Sequence, residues 1–319
     1  MILKLRSIGL LAAIALIGGT LFGTNHAAAD WKPSGPVKLL IGFGAGGETD
    51  TLGRAIAAVI EEQTGWDVIA ENKPGGGGIA MFSGISKAKA DGQVVGMGVS
   101  MPVLINLVLR GDKLPFKLDS FDYLATVTRA QLAIITKADA PYSNMSELVA
   151  YSKSKGGVPI GFDAKPQELI LRAINKSDNA GFRPVSGKSS AEMIQQVLGG
   201  HVAASFAAGI HIPYLKSGDL KMLASANDGR HSYAPDVPTL REQGYDLFVD
   251  PWFYIAAPAG LPADAKAAWA TALDNAIKAP KVRDLVAKAM QNETINLGAE
   301  GTKKMMSAGI GGVKVLFGK

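Results

Sequence analysis

Gly42-Phe-Gly-Ala-Gly-Gly-Glu-Thr-Asp50 follows an apolar run, Val37 to Ile41, and leads into a segment carrying Leu52, Ile56, Val59 and Ile60. The spacing of those four apolar residues fits a 3.6-residue period, so the local reading is strand, glycine turn, amphipathic helix. Glycines at the turn let the backbone bend sharply and bring bare N–H groups close to a ligand. The first turn of the helix has N–H groups without intrahelical acceptors and carries the positive end of the helix dipole. Such a turn suits an anion.

One anion to weigh is a dinucleotide. Gly42, Gly44 and Gly47 satisfy G-x-G-x-x-G between a strand and a helix, with Glu61, Glu62 or Glu71 available as a distal ribose carboxylate. The N-terminus argues against it. Lys4 and Arg6 form a positive region, Ile8 to Ile17 an apolar one, and Ala27-Ala-Ala29 a small-residue cleavage site. The apolar stretch ending at Phe22 is short for a membrane span, which needs roughly 20 residues. Residues 1–29 therefore read as a cleaved export signal, with the exported chain starting at Asp30. Nicotinamide cofactors are not expected outside the cytoplasm, so no cofactor is expected.

Composition narrows the function further. The chain has 319 residues, enough for two domains, and no cysteine, which excludes disulfides and thiolate metal sites. Its net charge of +5 loses two positive charges with the signal, and the remaining basic residues are scattered. Nucleic acid is not an expected partner. G-x-S-x-G and H-E-x-x-H are both missing, and His201, His211 and His231 lack metal-ligand spacing. No metal site is expected.

Along the chain, strand and helix signals alternate. A strand at Val68 to Ala70 meets the glycine loop Glu71 to Gly78; a helix to about Ala90 and a strand from Val94 to Val99 follow. Units of this kind build a parallel sheet with right-handed crossovers. A second series begins with the apolar run Leu132 to Thr136 and Asn144-x-x-Glu147, a capping-box candidate. It continues through a strand at Pro159 to Phe162, a helix opened by Pro166, and segments at Pro184-Val185, Ser190 to Leu198, Ala203 to Phe206 and Lys221 to Ala226. From Pro262 onward the chain reads as helical.

The glycine loop with Arg54 resembles the first loop of the receptors of tripartite tricarboxylate transporters, the TctC or Bug type. Further motifs fall in that family's order. They are Glu71-Asn-Lys-Pro-Gly75, Ala90-Asp-Gly92, Gly187 in Pro184-Val-Ser-Gly187, Leu198-Gly-Gly200, Pro235-Asp-Val-Pro-Thr-Leu240, and Trp252 followed by Ala257-Pro-Ala-Gly260. The resemblance implies a periplasmic-binding-protein fold of the Venus-flytrap kind, type II-like. Two α/β domains would be joined by a hinge, with the ligand in the cleft between them. Domain 1 would hold 30–135 plus 251–319, and domain 2 would hold 136–250. The implied function is a periplasmic receptor, a monomer, that binds a small di- or tricarboxylate and delivers it to a membrane permease. An exported α/β enzyme acting on small acids is the alternative.

Carried onto this sequence, the ligand-binding residues expected are Phe43, Gly44, Ala45, Gly46, Gly47, Asp50, Ser100, Asp163, Ala164, Lys165 and Ala207. Phe43 serves either as core or as ligand wall, and Asp50 either caps the helix or touches ligand. Ser100 lies just beyond a parallel strand, where open α/β sheets place ligands. Where relatives carry a Ser/Gly-rich loop, this chain reads Gly161-Phe-Asp-Ala-Lys-Pro-Gln167. Asp163 there would repel a second carboxylate and Lys165 would attract one. Ala207 and Ala208, after Phe206, stand where relatives often carry a polar side chain, which would widen or dry the cleft.

Overall fold

The computed structural model describes residues 31–316; the expected signal segment and Asp30 lie outside the described residues. The chain starts with β1 (Val37–Ile41), in which Val37, Leu39 and Ile41 are buried and Lys38 is exposed. The glycine turn then leads into α1 (Glu48–Thr64), which buries Leu52, Ile56, Val59 and Ile60 and ends where Gly65 turns left-handed at φ 71°. β2 (Val68–Asn72) and a short α2 (Ile79–Ile85) follow; α2 stops well before the Ala90 expected. β3 (Val94–Val99) carries Gly96 and Gly98 against α2. A Cβ on Gly98 would sit 2.5 Å from the Phe82 ring, so the bare backbone is what admits that ring to the sheet.

The sequence between the two α/β series holds α3 (Ser100–Arg110) and β4 (Phe121–Arg129). The second series is β5 (Leu132–Lys137), α4 (Met145–Ser154), β6 (Pro159–Phe162), α5 (Lys165–Asp178), β7 (Arg183–Ser186), α6 (Ser190–Leu198), β8 (Ala204–Ala208), α7 (Ile212–Ser217) and β9 (Leu220–Ser225). Asn144 caps α4 as its sequence indicates: its side chain accepts from the Glu147 N–H at 2.9 Å. The return is β10 (Trp252–Pro258), α8 (Ala263–Lys278), α9 (Pro280–Ala289) and α10 (Gly298–Leu316).

These strands form two five-stranded sheets, ordered β2-β1-β3-β10-β4 and β7-β6-β8-β5-β9. Neither sheet is purely parallel. β1, β2 and β3 run together, but β10 lies antiparallel to both β3 and β4. β5 is likewise antiparallel to β8 and β9. The reason is connectivity: β10 comes back from the second unit and β5 enters it, so each threads its sheet against the grain of the strand-helix-strand units. The boundary expected at 135/136 falls inside β5, a strand of the second sheet; the chain leaves the first sheet at Arg129.

Two crossings join the units, at Ala130–Gln131 and at Val249–Pro251. The crossings bond to each other through Ala130 N–H to the Pro251 carbonyl, 2.8 Å. Asn227 stitches both. Its Oδ1 accepts from the Leu132 N–H at 2.6 Å, while its Nδ2 donates to the Ala130 and Val249 carbonyls at 3.1 and 3.0 Å.

Candidate functional site

A cavity lies between the two units at the carboxyl ends of both sheets' parallel strands, the place where α/β sheets hold ligands. Four strand-to-helix turns converge on it. Gly47, Glu48 and Thr49 open α1; Val99, Met101 and Pro102 surround the start of α3; Asp163, Ala164 and Gln167 open α5; Ser189 and Ser190 open α6. Two of these helices belong to each unit. Among the described residues, the main-chain N–H groups of Gly47, Glu48 and Thr49 have no protein acceptor. The crossings supply a fifth wall through Ala130, Val249 and Pro251, joined by Leu132 at the start of β5, and Phe253 of β10 adds an aromatic face.

The two units already touch over this cavity. Gly44 donates its N–H to the Lys188 carbonyl at 2.8 Å, and a Cβ on Gly44 would lie 3.2 Å from both Lys188 Cβ and that carbonyl oxygen. Gly47 faces Ser189 with the same lack of room, at 3.1 Å. The glycine loop therefore does two things: it opens a helix toward the cavity and lets the second unit close down on it.

Phe43, Gly47, Asp163 and Ala164 line the cavity. Gly44, Ala45 and Gly46 line an outer groove beside α6 instead. Gly46 donates its N–H to Asp50 Oδ2 at 2.9 Å, and Asp50 Oδ1 accepts from Arg54 and Asn72, both at 2.8 Å. Asp50 thus braces the loop from behind. Ser100 is buried and its Oγ accepts from the Trp252 N–H at 3.0 Å, tying α3 to β10. Lys165 turns outward to Glu168, 2.7 Å away, and does not reach the cavity. Ala207 packs into the apolar layer behind the second sheet; its neighbour Ala208 faces the cavity.

The electrostatics are unusual for an anion site. No Lys, Arg or His lines the cavity among the described residues, whereas Glu48 and Asp163 do. Glu48 is 3% exposed and its two carboxyl oxygens have no hydrogen-bond partner. Burial, with the Asp163 charge adding to it, pushes the Glu48 carboxyl up to about 8. Burial also pushes Asp163 up to about 6, although Gln167 and Ser190 hydrogen-bond its carboxylate and oppose the shift. Beyond Glu48 lies a buried polar chain: His211 Nε2 to Tyr233 at 2.9 Å, Tyr233 to His231 Nδ1 at 2.6 Å, and His231 Nε2 to the hinge residue Asn227 at 2.9 Å.

Sequence reasoning passed over Glu48 as a site residue even though it sits inside the quoted motif. It also passed over Ser189 and Ser190, which directly follow Gly187-Lys188. The signal for both was available, since each stands at the start of an apolar-periodic helix after a strand and a glycine turn. The crossing residues carry no such local signal.

The family model described as "Tripartite tricarboxylate transporter family receptor" matches residues 52–310. The chain is 28% identical over 290 residues to the UPF0065 protein in the gbd 5′ region of Cupriavidus necator, covering 88% of this chain and 86% of that one. It is 28% identical over 258 residues to protein BugT of Bordetella pertussis, covering 79% of each. Among solved structures it resembles the periplasmic binding protein BugD, with TM-score 0.81 at 22% identity over 90% of this chain and 97% of that one. It also resembles MatC of Rhodopseudomonas palustris, solved with bound malate, with TM-score 0.79 at 22% identity over 89% and 99%. A further R. palustris protein, solved with adipate, gives TM-score 0.77 at 22% identity over 88% and 97%. These structural likenesses establish the two-unit fold.

Proposed function

The chain belongs to the tripartite tricarboxylate transporter receptor family, and from that premise we propose that it captures a small organic carboxylate in the cavity between its two units. It then hands that carboxylate to the membrane permease of such a transporter. The observation that carries this reading is the convergence of four helix N-termini, two from each unit, on one enclosed cavity. Each brings the positive end of a helix dipole, and the α1 turn brings free N–H donors, so an anion is bound without a basic side chain. Drawing donors from both units makes binding and closure one event. Malate and adipate in the neighbouring structures belong to those proteins; both being dicarboxylates, they support the ligand class. No described helix is long and apolar enough to cross a membrane.

Residues 1–29 act as the export signal in this reading, and the receptor works as a monomer in the periplasm. Intact-mass measurement of the exported chain is expected to show a start at Asp30 or within a residue or two; a chain retaining Met1 contradicts export by cleavage. The ligand class is tested by a melting screen of small carboxylates against neutral sugars. A ligand at a hundred times its dissociation constant adds about 2.7 kcal/mol to the folded state, which raises the melting temperature by roughly 5 °C in a chain of this size. Carboxylates are expected to give that shift and sugars none, and the bound acid should be recovered unchanged. A screen in which only sugars shift the melt, or in which the acid is consumed, overturns the reading.

A further inference from the structure

Glu48 stands on the first unit, but its side chain ends in the second. The carboxyl lies against Gly209, just past β8, where a Cβ would be 2.3 Å from Oε1. Gly209 is left-handed at φ 62°, so a bare backbone forms a niche where the carboxyl arrives. Met290, at the end of α9 in the first unit, comes within 3.1 Å of the same point. Beside it, Ser232 of the second unit donates across to the Gln291 carbonyl at 3.0 Å. The niche is thus part of a seam between the units, and Gly209 does not line the ligand cavity. Both carboxyl oxygens of Glu48 are sealed there from solvent and have no hydrogen-bond partner. An acid so placed is costly to ionise.

The surrounding groups offer it no counter-charge. Asp163 on α5's leading turn is a second acid, and Tyr233 is engaged with His211 and His231. Burial holds both imidazoles neutral, at about 3 and about 4. On α1 itself Asp50 is paired with Arg54, and in the α5 turn Lys165 is held by Glu168. Lys188 before α6 and Lys281, Arg283 and Lys288 of α9 are exposed to solvent. In these surroundings burial, with the Asp163 charge adding to it, holds Glu48 at about 8. Gly209, Asp163 and Tyr233 all belong to the second unit, so closure is what makes that burial. With the units apart, the carboxyl returns to water and to the ordinary acid range.

We propose that Glu48 is a proton-operated latch on closure: its neutral acid seats in the Gly209 niche when the units come together, and its carboxylate favours the open cleft. This rests on the receptor reading, in which the crossings act as a hinge, but not on which carboxylate is bound. The sign follows from linkage. Between about 4.5 and about 8 the closed form holds a proton that the open form has lost. The ratio of closed to open therefore falls as pH rises, by up to about tenfold per unit, and levels off above 8. Asp163 adds to this only below about 6, and the two histidines oppose it only below 6.5. From pH 6.5 to 8 Glu48 acts alone among them, and a ligand that closes the units takes up a proton.

The test is solution scattering of the unliganded exported chain at pH 6.5 and 8.5, with Glu48→Gln and Gly209→Ala beside the wild type. The wild type is expected to be compact at pH 6.5 and to expand at pH 8.5. Glu48→Gln, which keeps the shape and cannot ionise, is expected to hold the compact profile at both. Gly209→Ala puts a methyl where the carboxyl sits and is expected to be expanded at both. It probes the niche without altering the acid, so a Glu48→Gln protein that fails to fold does not spare the proposal. Identical wild-type profiles at the two pH values would overturn the latch. An expansion that persists in Glu48→Gln would also overturn it, while leaving the hinge in place. A Gly209→Ala protein as compact as the wild type at pH 6.5 would show that the niche does not hold the units together. The receptor reading is tested separately by the melting screen, which needs no change of pH, so either can fail alone.

Discussion

Glu48 is an acid in surroundings that disfavour its charge, and its titration has a definite sign. In the unfolded chain it titrates near 4.5; buried in the fold it titrates at about 8. Between those values the folded protein holds a proton that the unfolded chain has lost, so stability falls as pH rises, by up to about 1.4 kcal/mol per unit. His211 and His231 have the opposite sign. Burial lowers them from 6.5 to about 3 and about 4, so their contribution is complete above 6.5 and is lost as pH falls below it. Asp163, raised to about 6, works with Glu48 but only in the acid range. Of these four groups Glu48 alone acts between pH 6.5 and 8. Urea unfolding of the unliganded protein is therefore expected to show lower stability at pH 8 than at 6.5, and Glu48→Gln is expected to flatten that difference. A wild-type profile already flat across this interval contradicts the assignment. At this scale the glycines were legible because a turn between strand and helix requires them. The fate of single polar groups was not. Nothing local to Lys165 says that Glu168, three residues on, takes its ammonium, and nothing local to Asp50 says that Asn72 comes round to meet it.

Among the elements, those bounded by strong local signals were read closely. α6 starts at Ser190 after the Ser189 cap and ends before Gly199, as its sequence indicates, and β3 spans Val94–Val99 as expected. α3, β4 and β10 were not seen. α3 is enclosed by α5, α10 and β10 and follows β3 directly, Val99 to Ser100, so no turn residue announces its start. β4 is buried along nearly its whole length and pairs with a strand more than a hundred residues away. Periodicity cannot reveal that partner. The crossings gain their definition from one side chain, Asn227, with four hydrogen bonds to Leu132, Ala130, Val249 and Asp250. Asn227→Ala leaves those groups short of partners in a partly buried place. The expected cost is roughly 2–3 kcal/mol, read as a lower urea midpoint. Because the crossings form the hinge, ligand affinity is expected to fall as well. A variant with wild-type midpoint and affinity would show that Asn227 does not hold the crossings.

Taken as a whole, the molecule is two mixed sheets facing one cavity, with the C-terminal segment returning to pack on the first. β10 completes the first sheet, and α8 and α9 cover α1. That return was legible from the helical tail, and the two-unit plan followed from the α/β series on either side of the midpoint. The antiparallel strands β10 and β5, each second from one edge of its sheet, were not legible, since their direction depends on where the chain re-enters a sheet. In the proposed function a carboxylate is gripped by helix N-termini from both units at once. That grip is tested most directly by following backbone amide resonances of isotopically labelled protein during titration with a carboxylate that raises its melting temperature. The amide protons of Gly47, Glu48 and Thr49 on α1's leading turn and of Ser190 on α6 are expected to move downfield together, on one binding curve, as they acquire a charged acceptor. Shifts confined to one unit, or lying away from these turns, would contradict it.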